Sequence, residues 1–315
     1  MAKQDGKCSL FPFEIEEIVS LQAAKQRAGW GITAFNLPNA WKISQGEGVT
    51  VAVLDSGCDL NHPDLMKNLV PGMNIIDPRK SPEDDNQHGT HVAGIISAVN
   101  NNIGMVGVAP KAKIMPIKVL DKNGNGSLGN VAKGIRWAVD HGADIITMSL
   151  GSPRPLQTVR KAIQYAAKKG VPCFVAAGNA GNTKEVFYPA AYPETIAIGS
   201  IDENFDRSKF SNTGKNLDFM APGGKIFSTI PNDWYAILSG TSMACPFAVG
   251  VAVLVLSYKK SGKNGRIQLE SIEDFRTLLK KGTIPINNNG YAGKKFFEGF
   301  GVIDPRKFVE WIKKD

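Results

Sequence analysis

Short runs rich in valine and isoleucine alternate with amphipathic segments from about residue 49 onward. The runs at 49–55, 113–121, 143–151, 171–179 and 195–202 predict strands, each bounded by Gly, Asp or Asn. Residues 128–142 and 155–170 place apolar side chains at three- and four-residue steps and end at a glycine, which predicts helices. This alternation is typical of βαβ units. It predicts an α/β fold of three layers, a mostly parallel central sheet with helices on both faces.

The residues that close the predicted strands are candidates for chemistry. Ligands of parallel sheets bind beyond the C-terminal ends of the strands. Asp55, Gly151 and Asn179 stand at such ends. We find no internal repeat or long linker, and we predict one domain over residues 26–315 behind a short extension, residues 1–25.

Composition limits the classes of protein that fit. With 43% hydrophobic residues in 315, the chain can bury a full core, which excludes disorder. Its four cysteines form no C-x-x-C pair or Cys/His cluster, so we predict free thiols in a reducing compartment. The net charge of +8 is concentrated at the C-terminal end, where residues 251–315 hold 13 Lys/Arg against 7 Asp/Glu. We interpret it as a solvated basic surface and expect no nucleic-acid partner.

The first twenty residues lack an apolar run of the length that a signal peptide needs. We also expect no later segment to have the roughly 18 apolar residues that cross a bilayer. These expectations favour a cytoplasmic protein without a membrane partner. Export by an unrecognised route is the alternative.

Three separated segments carry candidate chemistry: residues 51–65 (VAVLDSGCDLNHPDL), 86–95 (NQHGTHVAGI) and 238–256 (LSGTSMACPFAVGVAVLVL). Each alone could hold only an ordinary cap or turn residue. Together, in the order Asp, His, Ser, they resemble the three active-site signatures of the subtilisin family of serine proteases. The resemblance covers nearly the whole chain from about residue 26. It implies a serine endopeptidase with Asp55, His88 and Ser242 as its catalytic triad.

The chemistry explains why these residue types belong together. A serine hydroxyl is a weak nucleophile until an imidazole can take its proton, the role expected of His88. Asp55 would hold that ring in the right tautomer. Ser242 precedes an apolar run that predicts a buried helix, so its backbone N–H would lie at a helix N-terminus that favours an anion. Asn179, in AAGNAG, matches the family's oxyanion-hole motif.

Other functions fit these residues less well. An α/β-hydrolase esterase would need G-x-S-x-G and the order Ser, acid, His, and neither occurs. A catalytically silent binding module remains an alternative, although the triad and Asn179 are all intact. His91 makes a His-x-x-His pair with His88, but no acidic ligand follows as in H-E-x-x-H.

The resemblance also implies a substrate site. An extended peptide would add as a strand between Ser149-Leu150-Gly151 and the glycine-rich residues 122–128, which include Gly124 and Gly126, and backbone pairing would give broad specificity. The pocket for the P1 residue, which precedes the cleaved bond, would be lined by Leu150, Ala176, Gly178 and Phe187. Because Phe187 would fill volume, we expect small or medium P1 residues to be preferred over aromatic ones.

A calcium site is implied in the same way. The matching residues are Gln26, Asp64 and Asn101, with the backbone carbonyls of Val99, Ile103 and Met105. One carboxylate, two amides and carbonyls are the hard oxygen ligands that Ca²⁺ takes. A tight polar loop without a metal is the alternative.

The extension contains Leu10-Phe11-Pro12-Phe13. With Cys58 shortly after Asp55, this segment resembles the Leu-Ile-Pro-Tyr-type extension that blocks the active site of intracellular subtilisins, although Phe11 and Phe13 differ from that pattern. Pro12 has no N–H and a fixed φ, so a strand docked through it would hold its scissile bond out of register. We therefore expect a zymogen, with a frayed terminus as the alternative. The same relatives imply a homodimer.

Overall fold

The computed structural model describes residues 6–20, 25–181, 184–262, 267, 269–287 and 295–314. The strands are β1 Lys7–Leu10, β2 Glu14–Ser20, β3 Thr50–Asp55, β4 Met73–Asn74, β5 Lys113–Lys118, β6 Asn125–Ser127, β7 Ile145–Met148, β8 Leu150–Gly151, β9 Cys173–Ala176, β10 Ile196–Ile201, β11 Phe219–Pro222, β12 Ile226–Ile230, β13 Trp234–Ser239, β14 Thr283–Ile284 and β15 Val302–Ile303. The helices are α1 Trp30–Ala34, α2 Leu37–Trp41, α3 His88–Ser97, α4 Leu128–Asp140, α5 Gln157–Lys168, α6 Thr241–Lys260, α7 Ile272–Lys281, α8 Lys295–Glu298 and α9 Pro305–Lys314.

The central sheet has the strand order β14-β15-β11-β10-β9-β7-β3-β5-β4. Its pairs are parallel except β14 with β15. The inner strands are buried on both faces, as expected for a parallel sheet covered by helices. The five predicted strand segments and both predicted helices are confirmed, with β7 and β8 dividing one predicted strand between them.

Helices cover both faces of this sheet. α3 and α4 each pack against β3 and β5 near the middle of the sheet. They pack with different partner helices over these shared strands, so α3 and α4 lie on opposite faces of the sheet. α6 packs with α3, and α5 packs with α4. The α/β fold of three layers is confirmed, and its carboxyl edge collects the candidate residues.

On sequence grounds we expect no segment apolar enough to cross a bilayer, and α6 departs from that expectation. An 18-residue window of this helix is apolar enough, by length and composition, to cross a bilayer. Yet 94% of the apolar window is buried inside the protein. The helix is apolar all round because it lies between the sheet and α3, as a core helix does.

All four cysteines are free, as predicted, and the structure shows that all four are also buried. Burial raises the pKa of the Cys8, Cys173 and Cys245 thiols to about 12, and raises that of Cys58 well above its ordinary value. Thiols in this state are poor nucleophiles.

Two small sheets contain strands of the extension. β1 lies between β6 and β8, and β2 lies beside β13 in a sheet with the order β12-β13-β2. The described part of the extension is thus ordered against the rest of the chain.

Candidate active site

Asp55 and His88 meet at the carboxyl edge of the central sheet. Asp55 is the last residue of β3, and His88 is the first residue of α3. The Nδ1 atom of His88 lies 2.9 Å and 3.0 Å from the two carboxylate oxygens of Asp55, and both side chains are fully buried. This pairing makes Nδ1 the nitrogen that carries the proton and leaves Nε2 as an acceptor. Among the described residues, His88 Nε2 is buried without a hydrogen-bond partner.

Ser242 is the second residue of α6, and a proline shapes its surroundings. Pro246 lies four residues further on and has no N–H to donate to the Ser242 carbonyl. The hydroxyl of Ser149 donates to that carbonyl instead, at 3.1 Å, while the Ser242 hydroxyl donates to the Ser149 carbonyl at 3.4 Å. These two contacts attach the start of α6 to the strand edge predicted to bind substrate.

Asn179 presents its amide N–H groups beside the start of α6. Its Oδ1 accepts hydrogen bonds from the backbone N of Thr241 at 2.9 Å and from the Thr241 hydroxyl at 2.6 Å. With Oδ1 held this way, Nδ2 points outward and donates to the backbone carbonyl of Pro12 at 2.7 Å. Asn179 therefore holds a peptide carbonyl at the N-terminal end of the helix that carries Ser242.

Asp84 is a residue of this site that the sequence analysis missed. Its buried carboxylate accepts five hydrogen bonds, from the Ser56 hydroxyl, the backbone N of Asn86, the backbone N of Gln87, and the backbone N and hydroxyl of Thr90. It thereby ties the residue after Asp55 to the first turn of the helix that carries His88. The available signal was an acidic residue four positions before a histidine at a helix start.

β1 occupies the predicted substrate edges. It runs antiparallel to both neighbours, with Cys8 opposite Gly126, Ser9 opposite Gly151 and Leu10 opposite Leu150. The backbone N of Leu10 also donates to the carbonyl of Gly124 at 2.9 Å. The extension thus lies where the resemblance implied that a substrate strand would lie.

Phe11 lies in the space predicted to be the P1 pocket. Its side chain is 4% exposed, and its ring centroid is 6.0 Å from that of Phe187. A Cβ atom on Gly151 would stand 2.7 Å from the Phe11 ring, so the glycine leaves room for it. On sequence grounds we expect Phe187 to fill this pocket, whereas in the structure Phe187 forms one wall of it and leaves room for the Phe11 ring. Leu150 and Ala176 are buried, and Gly178 has φ +105 and lies against Phe187.

The rest of the extension continues across the site. The ring centroid of Phe13 lies 5.1 Å from that of His88. β2 then runs antiparallel to β13, from Glu14 opposite Ser239 to Ser20 opposite Trp234. This second strand was not predicted. The described extension therefore covers the candidate triad from both sides.

The predicted calcium residues lie together in one loop region. The Nε2 atom of Gln26 donates to the carbonyls of Val99 and Met105, at 3.2 Å and 3.3 Å, and to Asn101 Oδ1 at 3.5 Å. Asn101 Nδ2 donates to Asp64 at 2.7 Å. Three oxygens thus converge on one amide nitrogen, an arrangement rich in the oxygen ligands that Ca²⁺ takes.

The remaining predicted member, Ile103, directs its backbone N–H to Asn101 Oδ1 at 3.1 Å. Its place in the loop is fixed by a bridge to Lys25. The loop is therefore joined directly to the last residue of the extension.

His91 lies behind His88 in α3. Its Nε2 atom pairs with the carbonyl of Ala236 at 3.1 Å, and complete burial lowers its pKa to about 3. The ring is therefore a neutral core group. In the part of the chain that the structure describes, no cluster of three or more His, Cys, Asp or Glu side chains could hold a metal ion.

Comparison with known proteins agrees with this geometry. The family model described as "Subtilase family" matches residues 46–301. The chain is 44% identical to "Thermitase" of Thermoactinomyces vulgaris over 78% of its own length and 88% of the relative's. It is 40% identical to "Major intracellular serine protease" of Bacillus subtilis (strain 168) over 90% of both chains, and 40% identical to "Subtilisin E" of the same organism over 82% and 65%. The chain therefore belongs to the subtilase family and is a serine endopeptidase of the subtilisin type, a hydrolase acting on peptide bonds.

Proposed function

We propose that Asp55, His88 and Ser242 form the catalytic triad of this endopeptidase. The observation that carries the proposal is the buried His88–Asp55 pair at 2.9 Å, which leaves His88 Nε2 as an acceptor. The Ser242 hydroxyl donates to Ser149 in the blocked form. Catalytic hydrogen bonds often tighten only in the substrate complex.

The reaction follows from these positions. As Ser242 Oγ attacks the peptide carbonyl, its proton passes to His88 Nε2, and the resulting imidazolium is stabilised by Asp55. The same proton then goes to the leaving amine, which gives an acyl-enzyme. Water repeats the sequence, releases the acid and restores Ser242.

We further propose that Asn179 stabilises the oxyanion. Its Nδ2 atom already donates to a peptide carbonyl, that of Pro12. Because its Oδ1 is held by Thr241, the amide does not need to reorient when charge develops on the carbonyl oxygen. The backbone N–H of Ser242, at the start of α6, would supply the second donor.

The extension is proposed to keep the enzyme as a zymogen. It fills the P1 pocket with Phe11, while the carbonyl at Asn179 belongs to the next residue, Pro12. In a productive substrate, the side chain in the P1 pocket and the carbonyl at Asn179 belong to the same residue. The extension is therefore one residue out of register at the site of attack, and it inhibits instead of being cleaved there.

A structural calcium ion is proposed at Gln26, Asp64, Asn101 and the carbonyls of Val99, Ile103 and Met105. The converging oxygens support a cation, and rotation of the Gln26 amide would add its own oxygen to them. Bound Ca²⁺ would stabilise the loop, and it lies outside the proposed chemical steps.

Protein or peptide substrates follow from the enzyme class, and broad specificity, a cytoplasmic location and a homodimer are proposed with it. The relative named as an intracellular protease supports the location, whereas the names of other relatives carry no such word. Pairing of β1 with Gly126 and Gly151 through backbone groups, which every peptide has, supports broad specificity.

Intact mass over time, with Ca²⁺, tests both the nucleophile and the zymogen. We expect the wild type, but not Ser242→Ala, to lose an N-terminal piece of roughly 25 residues. Deleting residues 1–25 should raise peptidase activity, and a fluorophosphonate should label the deleted form only while Ser242 is present. Unchanged activity on deletion would contradict the inhibitory role, and an unlabelled Ser242 would contradict the triad.

A further inference from the structure

The side of β13 that faces away from β12 is a sheet edge to which an extended strand can pair. β13 pairs with β12 on one side, and in the described structure its other side pairs with β2 of the extension. The pairing extends from Glu14 opposite Ser239 to Ser20 opposite Trp234, with a bulge between Ile237 and Leu238. Removing the extension would expose this row of backbone groups.

The edge is continuous with the reaction site. Pro12, whose carbonyl is bound by Asn179, lies two residues before the start of β2. Counted from that carbonyl, Glu14 is the second following residue and Ser20 is the eighth. A substrate whose carbonyl is bound by Asn179, and which runs in the same direction, would lie along the same edge.

The far end of the edge also offers apolar contacts. Val19, the seventh residue by this count, packs against a cluster made of Ala98, Met105, Phe227 and Tyr235. Ile18, the sixth, borders a cleft of 370 Å³ that Trp234 and Asp85 also line. Trp234 is 43% exposed even with β2 in place. The edge therefore favours a β-branched residue at the seventh position.

We propose that, after the extension is removed, the edge of β13 binds the part of a substrate that follows the cleaved bond, out to the seventh or eighth residue. This inference rests on the proposed function. The occupant is an extended polypeptide with an apolar residue near the seventh position. It makes the enzyme selective for long, unfolded segments over short peptides.

The remoteness of the edge determines which kinetic parameter it affects. Contacts with Trp234 and Tyr235 involve substrate residues far from the reacting carbonyl, so they are equal in the ground state and the transition state. Such uniform binding lowers KM and leaves kcat unchanged. A change in KM at constant kcat therefore distinguishes binding at this edge from the action of a catalytic residue, which would change kcat.

Quenched fluorescent peptides test the proposal on the full chain after its extension has been cleaved and removed. One peptide ends three residues after the cleaved bond, and a second continues with Glu-Glu-Ile-Val-Ser, the sequence of residues 16–20. We expect the longer peptide to have a KM about tenfold lower at equal kcat, since several cross-strand pairs are added. A control of equal length and composition exchanges the valine with the first glutamate, and should lose part of this advantage.

N-methylation of single backbone amides in the longer peptide tests strand pairing directly. Alternate amides face β13, so we expect losses in affinity with a period of two residues. Equal KM values for the short and long peptides, or equal losses at every amide, would overturn the inference. Hydrolysis of neither peptide would overturn the proposed function, and the inference with it.

Discussion

Replacing Phe11 with alanine is expected to weaken the docking of the extension by about 10- to 100-fold. Phe11 is 4% exposed, and its ring fills the space beside Phe187 and Gly151. Burying a phenylalanine side chain contributes about 1.5–3 kcal/mol, and about 1.4 kcal/mol corresponds to a factor of ten in affinity. Most of this contribution is lost with alanine, while the strand pairing of β1 is unchanged.

The assay is inhibition of the activated enzyme by synthetic peptides of residues 6–20. The wild-type peptide is compared with the Phe11→Ala peptide and with a Ser9→Ala control, because Ser9 is exposed and pairs only through its backbone. We expect the inhibition constant to rise with Phe11→Ala and to stay nearly constant with Ser9→Ala. Equal inhibition by all three peptides would refute the reasoning, since backbone pairing alone would then account for docking.

Four other changes have definite expected outcomes. Asn179→Ala should lower kcat by about 10²–10³, the magnitude known for the corresponding asparagine of subtilisin itself, with little change in KM; an unchanged kcat would exclude it from the oxyanion hole. The free energy of unfolding should fall as pH drops from about 6.5 towards 3, because His91 takes up a proton in the unfolded chain but stays neutral in the folded protein, where its pKa is about 3. In denaturant titrations, His91→Gln should reduce this pH dependence by up to about 1.4 kcal/mol per pH unit. Removing Ca²⁺ with a chelator should lower the Tm of the wild type, and it should hardly change the Tm of Asp64→Asn. An equal fall in Tm for the wild type and the variant would mean that the ion binds elsewhere. Peptides with Phe at P1 should be hydrolysed at least as well as otherwise identical Ala peptides, because Phe187 leaves room for a ring. A clear preference for Ala would instead support the expectation from sequence that Phe187 fills the P1 pocket.

The parts of the fold that could be predicted from sequence are those with local signals. The strand ending at Asp55 is a short apolar run closed by a polar residue, and the helix predicted at 128–142 has apolar residues at three- and four-residue steps and ends at Gly142. Such patterns depend on neighbours in sequence, so they survive without a structure. The large apolar helix was also evident, but only its burial distinguishes it from a membrane segment of the same composition.

The missed features depend on partners that are distant in sequence. β2 pairs with β13 more than 200 residues away, and its short, charged sequence gives a weak strand signal by itself. Four of the five donors to Asp84 lie within six residues of it, and only the Ser56 hydroxyl, 28 residues away, is brought to the carboxylate by the fold. For Phe187, the prediction considered one bulky wall of the pocket, whereas the absent side chain of Gly151 on the opposite wall decides the available space.

The docking of the extension within its own chain has a consequence for the activation of the proposed zymogen. A tethered segment meets its site at an effective concentration of about millimolar, so even modest affinity keeps nearly every molecule blocked. One cut between β2 and Lys25 turns the same segment into a free peptide at the concentration of the protein itself. Dilution then releases it, and the switch becomes irreversible because the peptide bond is not remade. A single proteolytic event would thereby activate the proposed zymogen, with no further change in the strength of any contact.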